Sequence, residues 1–191
     1  MTNCLYEIKN TDPVGWRRVI ERAALGLGDD LREISFPSPS RGLVETQVWF
    51  GRLPEPLPLG SLSDGQIAYL GFVALMEIGR RHSLIVMDEP EQHLHPALLA
   101  RVALMFEQLG ADVPVIVATH SDRFLDALTR PEDSVVLCEL DASRATRLRR
   151  PDSDALARWL EDYRGIGELR AEGYEPHVFA ASHADADTPA C

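Results

Sequence analysis

The spacing of apolar residues changes along the chain, and from residue 66 onward it predicts alternating helices and strands. Stretches with helical spacing at 67–79 and 96–110 alternate with short apolar runs at 84–87 and 113–118. Residues 67–79 are apolar on nearly every side, which is typical of a buried helix. The uninterrupted run 84–87 is typical of a strand buried on both faces. We therefore expect an α/β fold with a partly parallel sheet and helices on its faces.

The residues before this core follow a different pattern. Residues 1–11 show no period, and we expect a loose or truncated start there. Asp12 followed by Pro13 is typical of a helix start, and Gly26 and Gly28 are suited to end that helix.

Two strand-like runs, 31–36 and 43–50, then flank a turn-forming stretch at 37–42, so we expect an N-terminal β-hairpin. The proline-rich stretch 53–59 is excluded from a helix or a central strand and is interpreted as an extended connector.

We expect one partial domain over residues 1–191. It would comprise a helix, the hairpin and the connector over 1–59, a core over 60–140, a helical tail over 141–180 and a frayed end over 181–191. The arginines at positions 144, 147, 149 and 150 are interpreted as a solvated loop.

Two adjacent acids, Asp88 and Glu89, directly follow the apolar run 84–87. The carboxyl ends of parallel strands form the ligand-binding edge of an open α/β sheet. One carboxylate there is suited to Mg²⁺, and its neighbour is suited to orient or deprotonate a water. Upstream, Ser63 and Gly65 stand at the start of the buried helix, where a hydroxyl and backbone amides are suited to bind an anion.

Four segments stand in a fixed order: 62–66 (Leu-Ser-Asp-Gly-Gln), 84–91, 93–96 (His-Leu-His-Pro) and 119–121 (Thr-His-Ser). Together they resemble the C-terminal half of an ABC-type ATPase domain, most closely the OLD/RecF-like and SMC-related AAA ATPases. The resemblance implies a P-loop NTPase-like fold and activity on ATP with Mg²⁺.

The same resemblance implies roles for individual residues. Ser63, Asp64, Gly65 and Gln66 would form the signature motif that contacts ATP. Asp88 and Glu89 would form the Walker B pair, a magnesium contact and a catalytic base, and His120 would be the switch histidine. His93 and His95 have a spacing compatible with metal ligation, but no third ligand is evident in the sequence, so they are interpreted as turn and interface residues.

The phosphate-binding P-loop, G-x-x-x-x-G-K-[ST], does not occur in these 191 residues, and Lys9 is the single lysine. Phosphoryl transfer on this fold requires that loop. We therefore expect a partner, either a P-loop-containing subunit or a second copy of an ABC-type ATPase in a dimeric sandwich, and no activity of the chain alone.

Composition narrows the remaining possibilities. The net charge of −11 does not support direct nucleic-acid binding. Three widely separated cysteines and the absence of a long apolar run favour a cytoplasmic protein without a membrane span. Besides an ATPase half, two alternatives stay open: a non-enzymatic interaction or regulatory module of such an assembly, and a truncated remnant.

Overall fold

The computed structural model describes residues 1–38 and 43–152. The chain divides into two compact units, Met1–Thr119 and His120–Cys191. That all 191 residues form one partial ATPase domain stays a prediction. Within the described ranges, none of the helices is long and apolar enough to cross a membrane. The α-helices there are α1 (Thr2–Thr11), α2 (Pro13–Leu27), α3 (Asp64–Ile78), α4 (Pro96–Gly110), α5 (Asp122–Asp126) and α6 (Pro131–Ser134). The strands are β1 (Leu31–Ser35), β2 (Gln47–Phe50), β3 (Leu57–Pro58), β4 (Ile85–Asp88), β5 (Val115–Ala118), β6 (Leu137–Leu140) and β7 (Thr146–Arg149).

The first eleven residues form helix α1, so the expectation of a loose segment is wrong. Leu5 and Ile8, three residues apart, are both buried where α1 packs on α2 and α3. Two buried apolar residues in a ten-residue helix are too few to produce a visible period, and the helix is stabilised by tertiary packing.

The single lysine of the sequence has a structural role in this N-terminal layer. The Nζ of Lys9 donates hydrogen bonds to Glu33 Oε1 at 3.1 Å and to the carbonyl of Ile34 at 2.9 Å. It also lies 5.3 Å and 5.6 Å from the ring centroids of Trp16 and Phe36. Lys9 therefore joins α1 to the β1 strand and to the aromatic side chains beside it.

Helix α2 begins as predicted and ends at the second of the two candidate glycines, since Gly26 lies inside the helix. The Asp12 side chain accepts a hydrogen bond from the amide of Gly15 at 2.8 Å, and Gly28 ends the helix with a φ of 128°. The hairpin is also confirmed: β1 pairs antiparallel with β2, and Ile34 and Val48 face each other in the core. Strand β3 joins the free edge of β2, where a proline is tolerated.

Helix α3 is the centre of the first unit, as its apolar sequence predicts. Tyr69, Leu70 and Val73 are fully buried. On one side α2 contacts α3, where the Tyr69 hydroxyl donates to the carbonyl of Arg22 at 3.0 Å. On another side α4 contacts α3, with the rings of Phe72 and Phe106 packed edge to face at 5.6 Å.

Glu77 near the end of α3 forms an ion pair with two arginines of α2. Arg18 and Arg22 both donate to its carboxylate, which is only 5% exposed. This hydrogen bond with Glu77 is the main reason that the pKa of Arg18 is raised above its usual value. The cluster therefore fixes α2 to the C-terminal end of α3.

Strands β4 and β5 are parallel, which confirms the partly parallel sheet. Ile85 pairs with Val115 and Asp88 with Ala118. One face of this pair carries Ile85, which is buried, and α4 contacts β5. The other face carries Val86 and Ile116, which are 63% and 56% exposed, and Leu84 just before β4 is 49% exposed. The expectation that residues 84–87 are buried on both faces is therefore wrong for this chain.

The described part of the second unit contains two short helices and an antiparallel hairpin, β6–β7. Arg147 and Arg149 lie on β7 and pair with Asp141 and Glu139. The interpretation of this basic cluster as a solvated loop is therefore wrong for these two residues. The part of the predicted helical tail from residue 153 onward lies outside the described residues.

Candidate functional site

The candidate signature segment forms the start of α3. The Ser63 hydroxyl accepts a hydrogen bond from the Gln66 amide at 3.3 Å, and the Gln66 side chain accepts one from the Ser63 amide at 3.0 Å. This reciprocal capping box stabilises the first turn, and Asp64 lies in that turn. Ser63 and Asp64 are exposed, while Leu62 before them is buried. The segment is thus held in a defined conformation with its polar side chains at the surface.

Gly65 contacts the turn that follows β4. A Cβ atom at position 65 would lie 2.7 Å from the carbonyl oxygen of His93, which is closer than real Cβ atoms approach. The absence of a side chain at Gly65 is what allows α3 and this turn to meet. Beside the contact is an open cavity of about 940 Å³, whose lining includes Ser63, Asp64, Gly65, Gln66, His93, His95 and Arg101.

The two histidines of the 93–96 segment shape this turn. The Nδ1 of His95 accepts a hydrogen bond from the Ala97 amide at 3.2 Å and so caps helix α4. His93 adopts a left-handed backbone with a φ of 66°. Their interpretation as turn residues is confirmed by these contacts, and their interpretation as interface residues stays a prediction. Among the residues that the structure describes, no cluster of three or more histidine, cysteine or acidic side chains is arranged to hold a metal.

The two adjacent acids lie at the carboxyl end of β4, as predicted. Asp88 is exposed and is paired in register with Ala118, and the amide of Glu89 donates to the Ala118 carbonyl at 2.8 Å. Glu89 has a φ of 46°. A left-handed backbone at a residue with a side chain costs about 1–2 kcal/mol, and such strain is concentrated at functional sites.

A third acid, Glu91, belongs to the same end of the sheet, although the sequence alone assigned it no role. The hydroxyl of Thr119, just past the end of β5, donates to Glu91 Oε1. The other oxygen, Oε2, is buried and has no hydrogen-bond partner among the described residues. The available signal in the sequence was the repeated acid in Asp-Glu-Pro-Glu, but the partner Thr119 is 28 residues away.

The structure places the predicted site residues in three groups. Ser63 to Gln66 contact one end of the turn 89–95, through Gly65. Asp88 and Glu89 stand at the other end of that turn, beside the end of β5. His120 follows Thr119 directly in the chain but is the first residue of the second unit.

The carboxyl end of β4, with Asp88 and Glu89, has the carboxylate ligands that a nucleotide-bound Mg²⁺ needs. Magnesium usually binds one or two carboxylates and completes its shell with phosphate oxygens and waters. Asp88 is exposed and suited to such a contact, and the described residues form no closed metal cage of their own. The residues present therefore fit a Mg²⁺ held mainly by phosphates.

The fold is similar to that of solved ATPase head domains. A chain from a study described as "Structural biochemistry of ATP-driven dimerization and DNA stimulated activation of SMC ATPases" matches with a TM-score of 0.59 and 16% identity. The match covers 83% of this chain and 96% of that one. The Smc head domain of Pyrococcus furiosus, with an extended coiled coil and bound to the C-terminal domain of ScpA, matches with the same TM-score and identity. There the match covers 83% of this chain and 39% of that one.

A third match is the Smc head domain of Pyrococcus yayanosii with a coiled coil and joint, at a TM-score of 0.57 and 17% identity. It covers 81% of this chain and 30% of that one. The chain therefore spans nearly all of the first structure but less than half of the two Pyrococcus chains. These likenesses confirm the predicted P-loop NTPase-like α/β fold.

No curated protein matches the sequence. The family described as "AAA domain, putative AbiEii toxin, Type IV TA system" has a sequence model that matches residues 25–126, just over half of the chain. That range includes the signature-like segment, the acids at the end of β4 and His120. The chain therefore belongs to this AAA domain family, and its resemblance to the ABC-type AAA ATPases is confirmed.

Proposed function

We propose that this chain is the C-terminal half of an ABC-type ATPase site that hydrolyses ATP once a P-loop from outside residues 1–191 is supplied. Asp88 and Glu89 stand at the end of a parallel strand, where this chemistry requires carboxylates. Lys9, the single lysine, donates hydrogen bonds to Glu33 and Ile34, so its ammonium group has a structural role. The phosphate cradle therefore has to come from another lobe.

In this proposal each site residue has a separate task. Glu89 accepts a proton from the attacking water as the water oxygen bonds to the γ-phosphorus and the bond to the ADP oxygen breaks. Asp88 binds Mg²⁺, which neutralises charge on the phosphates when bound. His120 contacts the γ-phosphate. Ser63, Asp64, Gly65 and Gln66 contact ATP held on the P-loop of the opposing ATPase subunit in a dimeric sandwich.

The observation that carries the proposal is the exposed apolar face of the β4–β5 pair, which stays uncovered among the residues that the structure describes. Parallel sheets are almost always covered on both faces. Here Leu84, Val86 and Ile116 are exposed. Because side chains alternate along a strand, Asp88 lies on the same face as Val86. A lobe that covered this apolar face would also reach Asp88, where the phosphates are needed.

The test combines purification and kinetics. The chain is purified alone and together with a separately expressed P-loop-containing lobe of an ABC-type ATPase, and Mg-ATP hydrolysis is measured in both samples. We expect hydrolysis only with the lobe, and its loss with Glu89→Gln. Absence of hydrolysis in the joint sample, or an unchanged rate with Glu89→Gln, contradicts the proposal.

The apolar face provides a second measurement with a matched control. Val86→Asp places a charge on the uncovered face and is expected to weaken association with the P-loop lobe. Leu104→Asp changes a similarly exposed residue of α4 (48% exposed) and is expected to leave association unchanged. Equal effects of the two variants on the dissociation constant would show that the face is not the contact surface.

A non-enzymatic role is supported by a different observation, the signature-like segment that is already shaped by its own capping box. In this alternative the chain donates Ser63 to Gln66 to another ATPase and performs no chemistry itself. Ser63→Arg would then abolish the activity of the partner, whereas Glu89→Gln would leave it unchanged. With a net charge of −11 and widely spaced cysteines, we propose a cytoplasmic assembly without direct nucleic-acid contact.

A further inference from the structure

The ends of β4 and β5 are joined by two hydrogen bonds past the last paired residues. The amide of Glu89 donates to the carbonyl of Ala118 at 2.8 Å. One step further out, the hydroxyl of Thr119 donates to Oε1 of Glu91. The second bond fixes Thr119, the residue after β5, to the turn that follows Asp88 and Glu89.

Glu91 is an unusual choice for a bond that is merely structural. Its Oε2 atom is buried and has no hydrogen-bond partner among the described residues. Leaving a buried polar atom unsatisfied costs about 1–3 kcal/mol, and more when the group is charged. A glutamine or a serine would satisfy the Thr119 hydroxyl without a carboxylate. Buried groups of this kind in a folded protein call for an explanation, and a functional role is one that recurs.

The position of the pair indicates what that role is. Glu91 lies two residues after the candidate base Glu89, and Thr119 is joined by its peptide bond to His120. The side-chain bond therefore connects the turn that begins with the candidate base to the end of β5. A displacement of about 1 Å in a catalytic group can reduce a rate by about a hundredfold.

We propose that Glu91 is a positioning residue for ATP hydrolysis. Through Oε1 it holds Thr119 and so fixes the turn that begins at Glu89 to the end of β5, and its Oε2 accepts a hydrogen bond from a donor that arrives with the nucleotide and the P-loop lobe. This inference rests on the proposed function, and it adds a residue and a task that the Walker B pair, the signature segment and His120 do not include.

Three substitutions separate the two oxygens. Thr119→Val removes the hydroxyl and keeps the shape, whereas Thr119→Ser keeps the hydroxyl. Glu91→Gln keeps an acceptor for Thr119 but replaces the second oxygen with an N–H donor. Each variant is assayed with the P-loop lobe for kcat and for KM of ATP, and each is melted alone to verify that it is folded.

We expect Thr119→Val and Glu91→Gln to lower kcat by about tenfold or more while KM changes less than about twofold, because positioning acts on the reacting geometry. Thr119→Ser should retain a kcat close to that of the unmodified chain. A structural role alone would lower the melting temperature without this separation of kcat from KM and without rescue by serine.

The outcomes distinguish this inference from the proposed function. An unmodified complex that does not hydrolyse ATP overturns both. An active complex in which Thr119→Val and Glu91→Gln retain full kcat overturns the role of Glu91 and leaves the proposed function standing. Should Thr119→Val fail to fold, Glu91→Gln decides alone, since it preserves the bond to Thr119.

Discussion

Replacing Gly65 by alanine tests whether the signature-like segment is held against the turn after β4. The added Cβ atom would lie 2.7 Å from the carbonyl oxygen of His93. That oxygen belongs to the backbone, so it cannot move aside as the end of a flexible side chain would. Either the start of α3 or the turn has to shift by several tenths of an ångström.

The expected cost follows from this overlap. Forcing one extra carbon into a packed contact typically destabilises a protein by about 1–3 kcal/mol. Gly71, in the same helix, has no atom within 4 Å of the corresponding Cβ position. Gly71→Ala therefore meets no obstacle, and the better helix propensity of alanine should stabilise the chain by about 0.5–1 kcal/mol. The two substitutions are chemically identical but are expected to have opposite signs.

The assay is chemical and thermal denaturation of each variant, followed by Mg-ATP hydrolysis with the P-loop lobe. A destabilisation of about 2 kcal/mol corresponds to a melting temperature about 4–8 °C lower for a chain of this size. Activity with Gly65→Ala should fall further than with Gly71→Ala, because only the first moves the signature-like segment. If Gly65→Ala is as stable as Gly71→Ala, the close contact with His93 does not exist as described.

Three further substitutions test other contacts. Glu77→Ala removes the nearly buried carboxylate between Arg18 and Arg22 and should lower the free energy of unfolding, measured by urea titration, by about 1–3 kcal/mol. Glu7→Ala breaks an exposed pair with Arg81 and should lower it by less than about 1 kcal/mol in the same titration. Burial raises the pKa of Tyr69, so the unfolded chain ionises first as the pH rises, and stability should decline above about pH 10. Tyr69→Phe should remove this decline in melting curves from pH 8 to 11, and an unchanged decline would assign it to other groups. Glu89→Gly relieves the left-handed backbone at φ 46° and should be more stable than Glu89→Val by about 1–2 kcal/mol. Both variants should lack hydrolysis. Equal unfolding free energies of the two variants would contradict the strained backbone.

Local chemistry in the sequence predicted much of the first unit. Asp12 caps α2, the capping box at Ser63 starts α3, and β1 pairs with β2 across a turn-forming stretch. These features are readable because each depends on residues only a few positions apart. The carboxyl-edge position of Asp88 was equally readable, since an apolar run that ends in acids has few other places in an α/β fold.

The errors of the sequence reading have physical causes. Helix α1 shows too short an apolar face for a period, and the packing of Leu5 and Ile8 stabilises it. The polar sequence near Arg147 predicts a loop because it lacks the apolar alternation typical of strands. The structure has a two-stranded hairpin there, stabilised by ion pairs such as the one between Arg147 and Asp141.

By itself, the sequence determined the order of the elements, the positions of the candidate motifs and the lack of a P-loop within these residues. Only the tertiary structure decided that Gly65 meets His93, that Glu91 binds Thr119 and that Val86 and Ile116 form an uncovered apolar face. Apolar residues on both faces of a strand predict that both faces are covered by other elements. The pattern does not identify those elements. Contacts between residues dozens of positions apart depend on how the elements pack, and no local pattern records that packing.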